Sequence, residues 1–326
     1  MVKTAILGCS GYTGQETLDR VLAHPELALV ALGSETLAGD RASALDVRLN
    51  GSLPPFVTNQ EALGAGAELI FCCLGHEEAA SLEPPADTVV VDLSGAHRLL
   101  DAALYAEWYG FEHPHPQALS GWSYAVPELF PPDTELIANP GCYATATLLA
   151  LAPIADAIDA ASVVVDAKSG VSGAGRGLKA SSHAGFVLEN LSPYKVGTHQ
   201  HVPEIAQALG FPICFVPHLL PIRRGLLVTC YVRATANDLR ERLEEAYAAS
   251  SVVRVLPDGV APEIARVQST DTAEIALFED KATGKAIVIC AEDNLGKGAA
   301  GQAVQNANLA LGLEETLGLR LTGVPV

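Results

Sequence analysis

Apolar residues fall along this chain in short, nearly continuous runs set off by glycine and polar turns. Val2–Leu7, Leu27–Leu32, Glu68–Leu74 and Thr88–Leu93 are such runs. A segment apolar on both faces of the pleat suits a buried parallel strand. Glu16–Ala23, between the first two runs, predicts a helix. After Cys142 the pattern changes: Val163–Ala167, Ile213–Val216, Leu226–Arg233, Glu274–Glu279 and Ala286–Ala291 predict strands, with helical segments at Val202–Leu209 and Leu239–Ala249. This order predicts an α/β protein: a Rossmann-type parallel-sheet domain, then an α+β domain with a mixed or antiparallel sheet. Lys297–Leu311, rich in Ala, Gln and Leu, predicts a helix that packs back on the first domain.

The first run ends in Gly8-Cys9-Ser10-Gly11-Tyr12-Thr13-Gly14, a G-x-x-G-x-x-G variant of the dinucleotide fingerprint. Its glycines allow a tight turn and close backbone approach to a pyrophosphate, and the following helix N-terminus faces the negative charge. Ser34-Glu35-Thr36 follow the second run. An acidic residue there often holds the ribose 2′-OH of NAD. Ser34 and Thr36 can instead donate to a 2′-phosphate, with Arg41 nearby for charge, which favours NADP; an ordinary polar loop is the bland alternative. Leu74-Gly75-His76 and Asp92-Leu93-Ser94-Gly95 close two further strands at the ends where open α/β sheets bind ligands.

Cys142 lies where a strand (Leu136–Ala138) breaks at Asn139-Pro140-Gly141 and a helix begins, Ala144 to Ile158 holding little helix-disfavouring chemistry until Pro153. A thiol at a helix N-terminus faces unpaired N–H groups and the positive dipole end, which favour the nucleophilic thiolate. The alternative is an inert packing cysteine.

Four constellations follow. Lys168–Arg176 is a Gly/Ser loop leaving a strand, suited to an anion through Ser172, Gly173 and their backbone. Tyr194–Glu204 contains Lys195, His199, His201 and Glu204; histidines at i and i+2 before a helix suit acid–base work, and a zinc pair finds no third ligand at metal spacing. Pro217–Gly225 is a basic turn whose Arg223 and Arg224 suit a carboxylate or phosphate, or are ordinary surface arginines. Asp293–Gln302, with Asn294 and Lys297, offers glycines and a helix start to a cofactor.

Length, 326 residues, predicts two domains, and 49% hydrophobic content a large core. The net charge of −18 disfavours nucleic acid and anionic membranes as partners, so an anionic ligand needs a local basic pocket. Seven cysteines without a C-x-x-C pair argue for a reducing compartment. Cys72, Cys73, Cys214, Cys230 and Cys290 sit in apolar runs and are expected to pack. The chain enters its first strand without a signal peptide, and no apolar stretch reaches the ~18 residues of a membrane span, so a cytoplasmic protein is expected.

Together these segments, with Asp92–Leu99, Trp108–Gly110, Val126–Leu129, Asn139–Ala146 and Asn294–Asn308, resemble the N-acetyl-γ-glutamyl-phosphate reductases of arginine biosynthesis, in order along nearly the whole chain. Pro-Gly-Cys-Tyr and His-Gln-His-Val-Pro-Glu are the most specific. The resemblance implies an aspartate-semialdehyde dehydrogenase-like fold: a dinucleotide-binding domain of residues 1–141 and 297–326, and an inserted catalytic and dimerisation domain of residues 142–296. It implies reduction of an acyl phosphate by NADPH through a thioester on Cys142. His201 is the expected acid–base group, with His199 second. Arg98, Glu204, Lys195 and Arg223 are expected on the substrate. Gly8, Ser10, Gly11, Tyr12, Thr13, Gly14, Ser34, Ser94, Ser172, Gly173, Asn294 and Lys297 are expected around NADP. A homodimer or homotetramer is implied. Ala96 and His97 before Arg98, Val202 after His201, and Trp122–Val126 depart from the family's common residues. The nearest rival is the paralogous lysine-pathway reductase of a carrier-linked aminoadipyl phosphate, which would favour a basic docking surface. A dehydrogenase of another small acid fits His199–Glu204 less well. A nucleotide-sensing regulator would leave Cys142 and the histidines idle.

Overall fold

The computed structural model describes residues 1–49, 53–177 and 183–323, which form two compact units. The first comprises Met1–Pro140 and Ala299–Leu319. Its strands are β1 (Val2–Leu7), β2 (Leu27–Gly33), β3 (Phe56–Val57), β4 (Leu69–Cys72), β5 (Val89–Asp92), β6 (Ser123–Tyr124) and β7 (Leu136–Ala138). They make one sheet in the order β3-β2-β1-β4-β5-β7-β6, every neighbouring pair parallel. The order reverses between β1 and β4, the crevice where such sheets bind nucleotides, and the glycine loop leaves β1 there. Ile6, Leu69, Phe71 and Val91 are buried in one core cluster of this unit and Leu7, Ile70 and Val90 in another, so the continuous runs are explained by burial of both faces.

Helices α1 (Tyr12–Ala23), α2 (Asn59–Leu63), α3 (His76–Ala80), α4 (Ala103–Trp108) and, from the far end of the chain, α10 (Gly301–Ala310) belong to this unit. α1 starts four residues before the Glu16 expected from sequence. Gly14 lies inside its first turn, where a methyl group would sit 2.5 Å from the carbonyl oxygen of Gly8, so the last glycine serves close packing and not a longer loop. α10 packs on α1 and β5, as expected. Its polar residues are buried ties: Asn306 donates to the carbonyl of Ala125 (3.0 Å) and to Asn139 Oδ1 (3.1 Å), and Asn308 pairs with His24 (3.0 Å). The expected helix over Lys297–Leu311 is in fact a wider π-turn at Gly296–Ala300 followed by α10.

The second unit comprises Gly141–Gly298 and the tail from Arg320. The tail is held by reciprocal bonds: Asp271 N–H donates to Arg320 O and Arg320 N–H to Asp271 Oδ2, both 2.8 Å. Strands β8 (Val164–Gly170), β9 (Ser192–Pro193), β10 (Cys214–Leu220), β11 (Leu226–Val232), β12 (Val253–Val255), β13 (Ala273–Asp280) and β14 (Lys285–Glu292) form a mixed sheet in the order β12-β13-β14-β11-β8-β10-β9. β8–β10 and β12–β13 are parallel and the other pairs antiparallel. Helices α5 (Cys142–Leu151), α6 (Ala184–Val187), α7 (His201–Leu209), α8 (Leu239–Tyr247) and α9 (Ile264–Val267) complete it.

α5 has no polar face; every residue from Tyr143 to Leu151 is buried. It packs on β11, β14 and α7. Burying Leu148, Leu149 and Leu151 stabilises by roughly 1.5–3 kcal/mol each. The helix tightens to a 3₁₀ turn at Ala152, one residue before Pro153, which lacks the N–H an α-helix would need there. One packing expectation fails: Cys214 is exposed, because it is the first residue of β10 and projects before the sheet is covered. Among the described residues, no helix is long and apolar enough to cross a membrane.

Candidate active site

Cys142 is the first residue of α5 and is partly exposed. Gly141 caps the helix with extended backbone and no side chain, so the thiol sits at the open N-terminal end. The turn is fixed from α7: Oε1 of Glu204, fully buried, accepts the N–H of Gly141 at 2.8 Å. His201 is the first residue of α7, and its N–H donates to Nδ1 of His199 at 3.2 Å. With Nδ1 accepting, the proton of neutral His199 lies on Nε2.

The two histidine rings meet edge-on at 4.6 Å. His199 is further enclosed by Tyr143 (5.5 Å), Tyr194 (5.7 Å) and Phe215 (5.5 Å), while His201 touches Tyr143 at 6.0 Å. Burial, helped by the Lys195 ammonium, pushes His199 down to about 3, so it is neutral throughout the ordinary pH range. Tyr194 donates to the Tyr143 hydroxyl (3.2 Å), which donates to the carbonyl of His218 (3.2 Å). Burial pushes Tyr194 up to about 12 and Tyr143 higher still, and Cys142, when ionised, adds to both rises. Tyr143 and Tyr194 were not singled out from sequence, although both stand inside the motifs that were.

Lys195 has a left-handed backbone (φ +44°) in an exposed turn, and its ammonium donates to Gln200 Oε1 at 2.7 Å. Of the two arginines of the basic turn, Arg223 is exposed; Arg224 is buried on Asp293 at 2.6 Å, so it is not a surface arginine. Asn294 accepts the N–H of Gly225 (2.7 Å) and donates to Ser172 (2.9 Å), and a methyl group at Gly173 would lie 2.9 Å from Ser169 Oγ. Ser172, Gly173 and Asn294 thus form one cluster, and Lys297 is fully buried further along the same segment.

A second approach to Cys142 escaped the sequence reading. A methyl group at Gly298 would lie 2.9 Å from Cβ of Cys142 and 2.6 Å from Oε1 of Glu292. The only sequence signal is the glycine density of Asp293–Gly301.

In the first unit the glycine loop is a formed cradle. Gly8 has φ +68°, and a methyl group there would meet the Cys73 carbonyl at 2.5 Å. Gly11 caps α1 without a side chain, leaving the helix N-terminus beside Tyr12 and Thr13 open to an anion. Ser34 Oγ donates to Ser10 Oγ at 2.9 Å and lies 3.3 Å from Thr36 Oγ1. Glu35 is turned away, accepting the N–H of Asn59 at 2.9 Å. Ser94 bonds through N–H (2.8 Å) and Oγ (2.9 Å) to the buried Asp92 carboxylate, which also holds His97 at 2.6 Å. Arg98 is buried and ties the carbonyls of Asn139 (2.8 Å) and Leu93 (2.9 Å).

The comparisons agree with both halves. Residues 3–137 match the family model described as semialdehyde dehydrogenase, NAD binding domain, and residues 142–294 match the semialdehyde dehydrogenase dimerisation domain. Aspartate semialdehyde dehydrogenase II from Vibrio cholerae superposes with a TM-score of 0.73 at 21% identity, covering 95% of this chain and 98% of that one. The fold is therefore that of the semialdehyde dehydrogenases, with an NAD(P)-binding first unit. The N-acetyl-gamma-glutamyl-phosphate reductases of Salinispora arenicola and Citrifermentans bemidjiense are 44% and 42% identical, each aligned over 99% of both chains. The chain belongs to the N-acetyl-gamma-glutamyl-phosphate reductase family.

Two outcomes follow from this geometry. Unfolded, His199 binds a proton near pH 6.5; folded, only near pH 3. Its stabilising contribution is therefore complete above 6.5 and is lost progressively as pH falls toward 3. The melting temperature of the wild type should fall more steeply on acidification from pH 6.5 than that of His199→Phe; equal slopes would mean that the ring accepts its proton without loss of the fold. Gly298→Ala should displace Cys142 and cut turnover by on the order of tenfold to a hundredfold with the chain still folded. Unchanged turnover would show that the π-turn yields to the methyl group.

Proposed function

We propose that the protein reduces N-acetyl-γ-glutamyl phosphate to N-acetylglutamate semialdehyde, with NADPH as reductant, in arginine biosynthesis. The observation that carries this reading is Cys142 at the open N-terminus of a wholly buried helix, beside the His199–His201 pair, in a chain aligned end to end with reductases named for that substrate. Those names favour the arginine pathway over the lysine-pathway alternative.

Cys142 Sγ, as thiolate, attacks the acyl carbon. The S–C bond forms, the C–O bond to phosphate breaks, and phosphate leaves with the electron pair and a proton from solvent. Bound NADPH supplies hydride. The thioester carbon accepts it while the carbonyl oxygen takes a proton from His201, giving a thiohemiacetal. The S–C bond then breaks, the hydroxyl proton returns to His201, and thiolate and aldehyde separate. His199 suits a positioning role better, since burial keeps it neutral and its Nδ1 holds the N–H of His201. Lys195, Arg223, Arg98 and Glu204 remain candidates for substrate contact, the last two also as ties for the turns around them.

The cradle fits a dinucleotide: Gly8 and Gly14 let the loop close tightly, the open helix N-terminus at Gly11 suits a pyrophosphate, and the linked hydroxyls of Ser10, Ser34 and Thr36 suit the adenosine ribose, with Arg41 further along the same segment as a candidate charge. NADP is favoured over NAD because Glu35 is engaged with Asn59 while the hydroxyls beside it suit a 2′-phosphate. The fully buried Lys297 and the Ser172, Gly173 and Asn294 cluster are candidates for the rest of the cofactor. Assembly is proposed through the second face of the second sheet, where Val164, Val216, Leu227, Tyr231, Ile287 and Ile289 lie on one side and are only partly covered. A homodimer or a homotetramer would cover them. A reducing cytoplasm suits the free cysteines.

In the reverse direction at alkaline pH, N-acetylglutamate semialdehyde, phosphate and NADP should give a phosphate-dependent rise in reduced-cofactor absorbance, and Cys142→Ser should abolish it. Absence of signal with either NADP or NAD from folded protein would sink the assignment. His201→Asn should lower the rate by roughly 10²–10⁴-fold. His199→Asn should cost much less, because the Asn carbonyl can still accept the His201 N–H; the reverse order would exchange the two roles.

A further inference from the structure

Glu292 ends β14 with no exposed surface and takes no part in the reaction above. Its Oε1 and the Cβ of Cys142 close on the same point over Gly298, at 2.6 and 2.9 Å from where a methyl group would stand. Lys297, the residue before Gly298, is also fully buried. Burial is what chiefly raises the Cys290 thiol; Glu292 adds to the rise and Lys297 opposes it. A buried carboxyl group therefore approaches the nucleophile over Gly298, and the buried Lys297 immediately precedes that glycine.

We propose that Glu292 holds the Cys142 thiol protonated in the resting protein, with Lys297 as counter-charge. Two fields compete at the sulfur. The N-terminus of α5 presents about half a positive charge, which favours thiolate. With Lys297 as its counter-charge, an ionised Glu292 sets a full negative charge in a low-dielectric setting, which opposes it. The other groups around Cys142 are already placed. The Glu204 carboxylate accepts the Gly141 N–H, Asp293 is paired with Arg224, His199 is neutral, and the Tyr143 and Tyr194 hydroxyls are protonated. His201 faces the site through Tyr143. Glu292 then makes Cys142 a thiol of low reactivity toward oxidants at neutral pH and a more basic, more nucleophilic thiolate once the proton leaves.

The inference rests on Cys142 being the nucleophile of the proposed reduction, but its test needs no turnover, so each can fail without the other. The probe is iodoacetamide, a neutral alkylating agent, applied to the full chain between about pH 5 and pH 10, with labelling of the Cys142 peptide followed by mass spectrometry. In Glu292→Gln the midpoint for Cys142 labelling should fall by a pH unit or more, making labelling near neutrality about tenfold faster. Should that variant not fold, Glu292→Gln with Lys297→Met removes both buried charges together, which is better tolerated than removing one. Its midpoint should also lie below that of the wild type, since the helix N-terminus then acts alone. An unchanged midpoint in either folded variant, or one that rises, overturns the proposal. Turnover in the reverse assay, measured separately, reports on the reduction itself.

Discussion

The hydrogen bond from the Gly141 N–H to the buried Glu204 carboxylate joins the start of α5 to α7, and the candidate site depends on it. α5 delivers Cys142 and α7 delivers His201, each as its first residue. Two helices that meet only through apolar side chains can slide by a fraction of a turn. A charged acceptor on a backbone donor fixes their register, and such bonds contribute roughly 1.5–3 kcal/mol. Losing the donor would take a hydrogen bond from a buried carboxylate oxygen, which costs more than the bond contributes. The apolar body of α5 supplies the stability, and Glu204 supplies the alignment.

The same division recurs on the other side of Cys142. The Asp293 carboxylate accepts Arg224 Nε and the N–H groups of Ser269, Leu295 and Gly296, and so builds the turn that ends at Gly298. In the first unit Asn139, at the end of β7, receives bonds from Arg98 and Asn306 and donates to the carbonyl of Ala299. Polar groups that are expensive to bury appear mainly where a chain reversal must be held at one geometry. The aromatic enclosure of His199 has a different effect: it removes water from a titratable ring and so keeps it neutral.

Ten strands were legible because their apolar runs are continuous or alternate, and the parallel and mixed sheets followed from them. The two- and three-residue strands β3, β6, β9 and β12 are too short to show a period, and their pairing is set by neighbours. The start of α1 was misplaced because Gly14 reads as loop, whereas it is a helix residue chosen for its missing side chain. Cys142 and the two histidines were legible as motifs. The aromatic enclosure of His199 was not, since it also needs Tyr143 and Phe215, which come from other segments of the chain. Glu292 was invisible for the same reason: only the return of the chain from β14 through the π-turn brings it beside a residue 150 positions earlier. Arg224 and Cys214 each reversed its expected exposure because a turn partner, in one case, and a strand end, in the other, decided it.

The nucleotide-binding unit is built from two stretches of chain, residues 1–140 and 299–319, whereas nearly all of the other unit is one uninterrupted stretch. A ribosome releases the chain from its N-terminus. The seven-stranded parallel sheet therefore emerges before α10, and the apolar surface and buried amide partners meant for that helix stay uncovered until the whole inserted stretch has been made. The inserted unit has nearly all its residues before then. The dinucleotide fold thus waits on the inserted stretch for its last helix, and a nascent chain stalled anywhere before Gly301 would expose the surface of α1 and β5 that α10 covers.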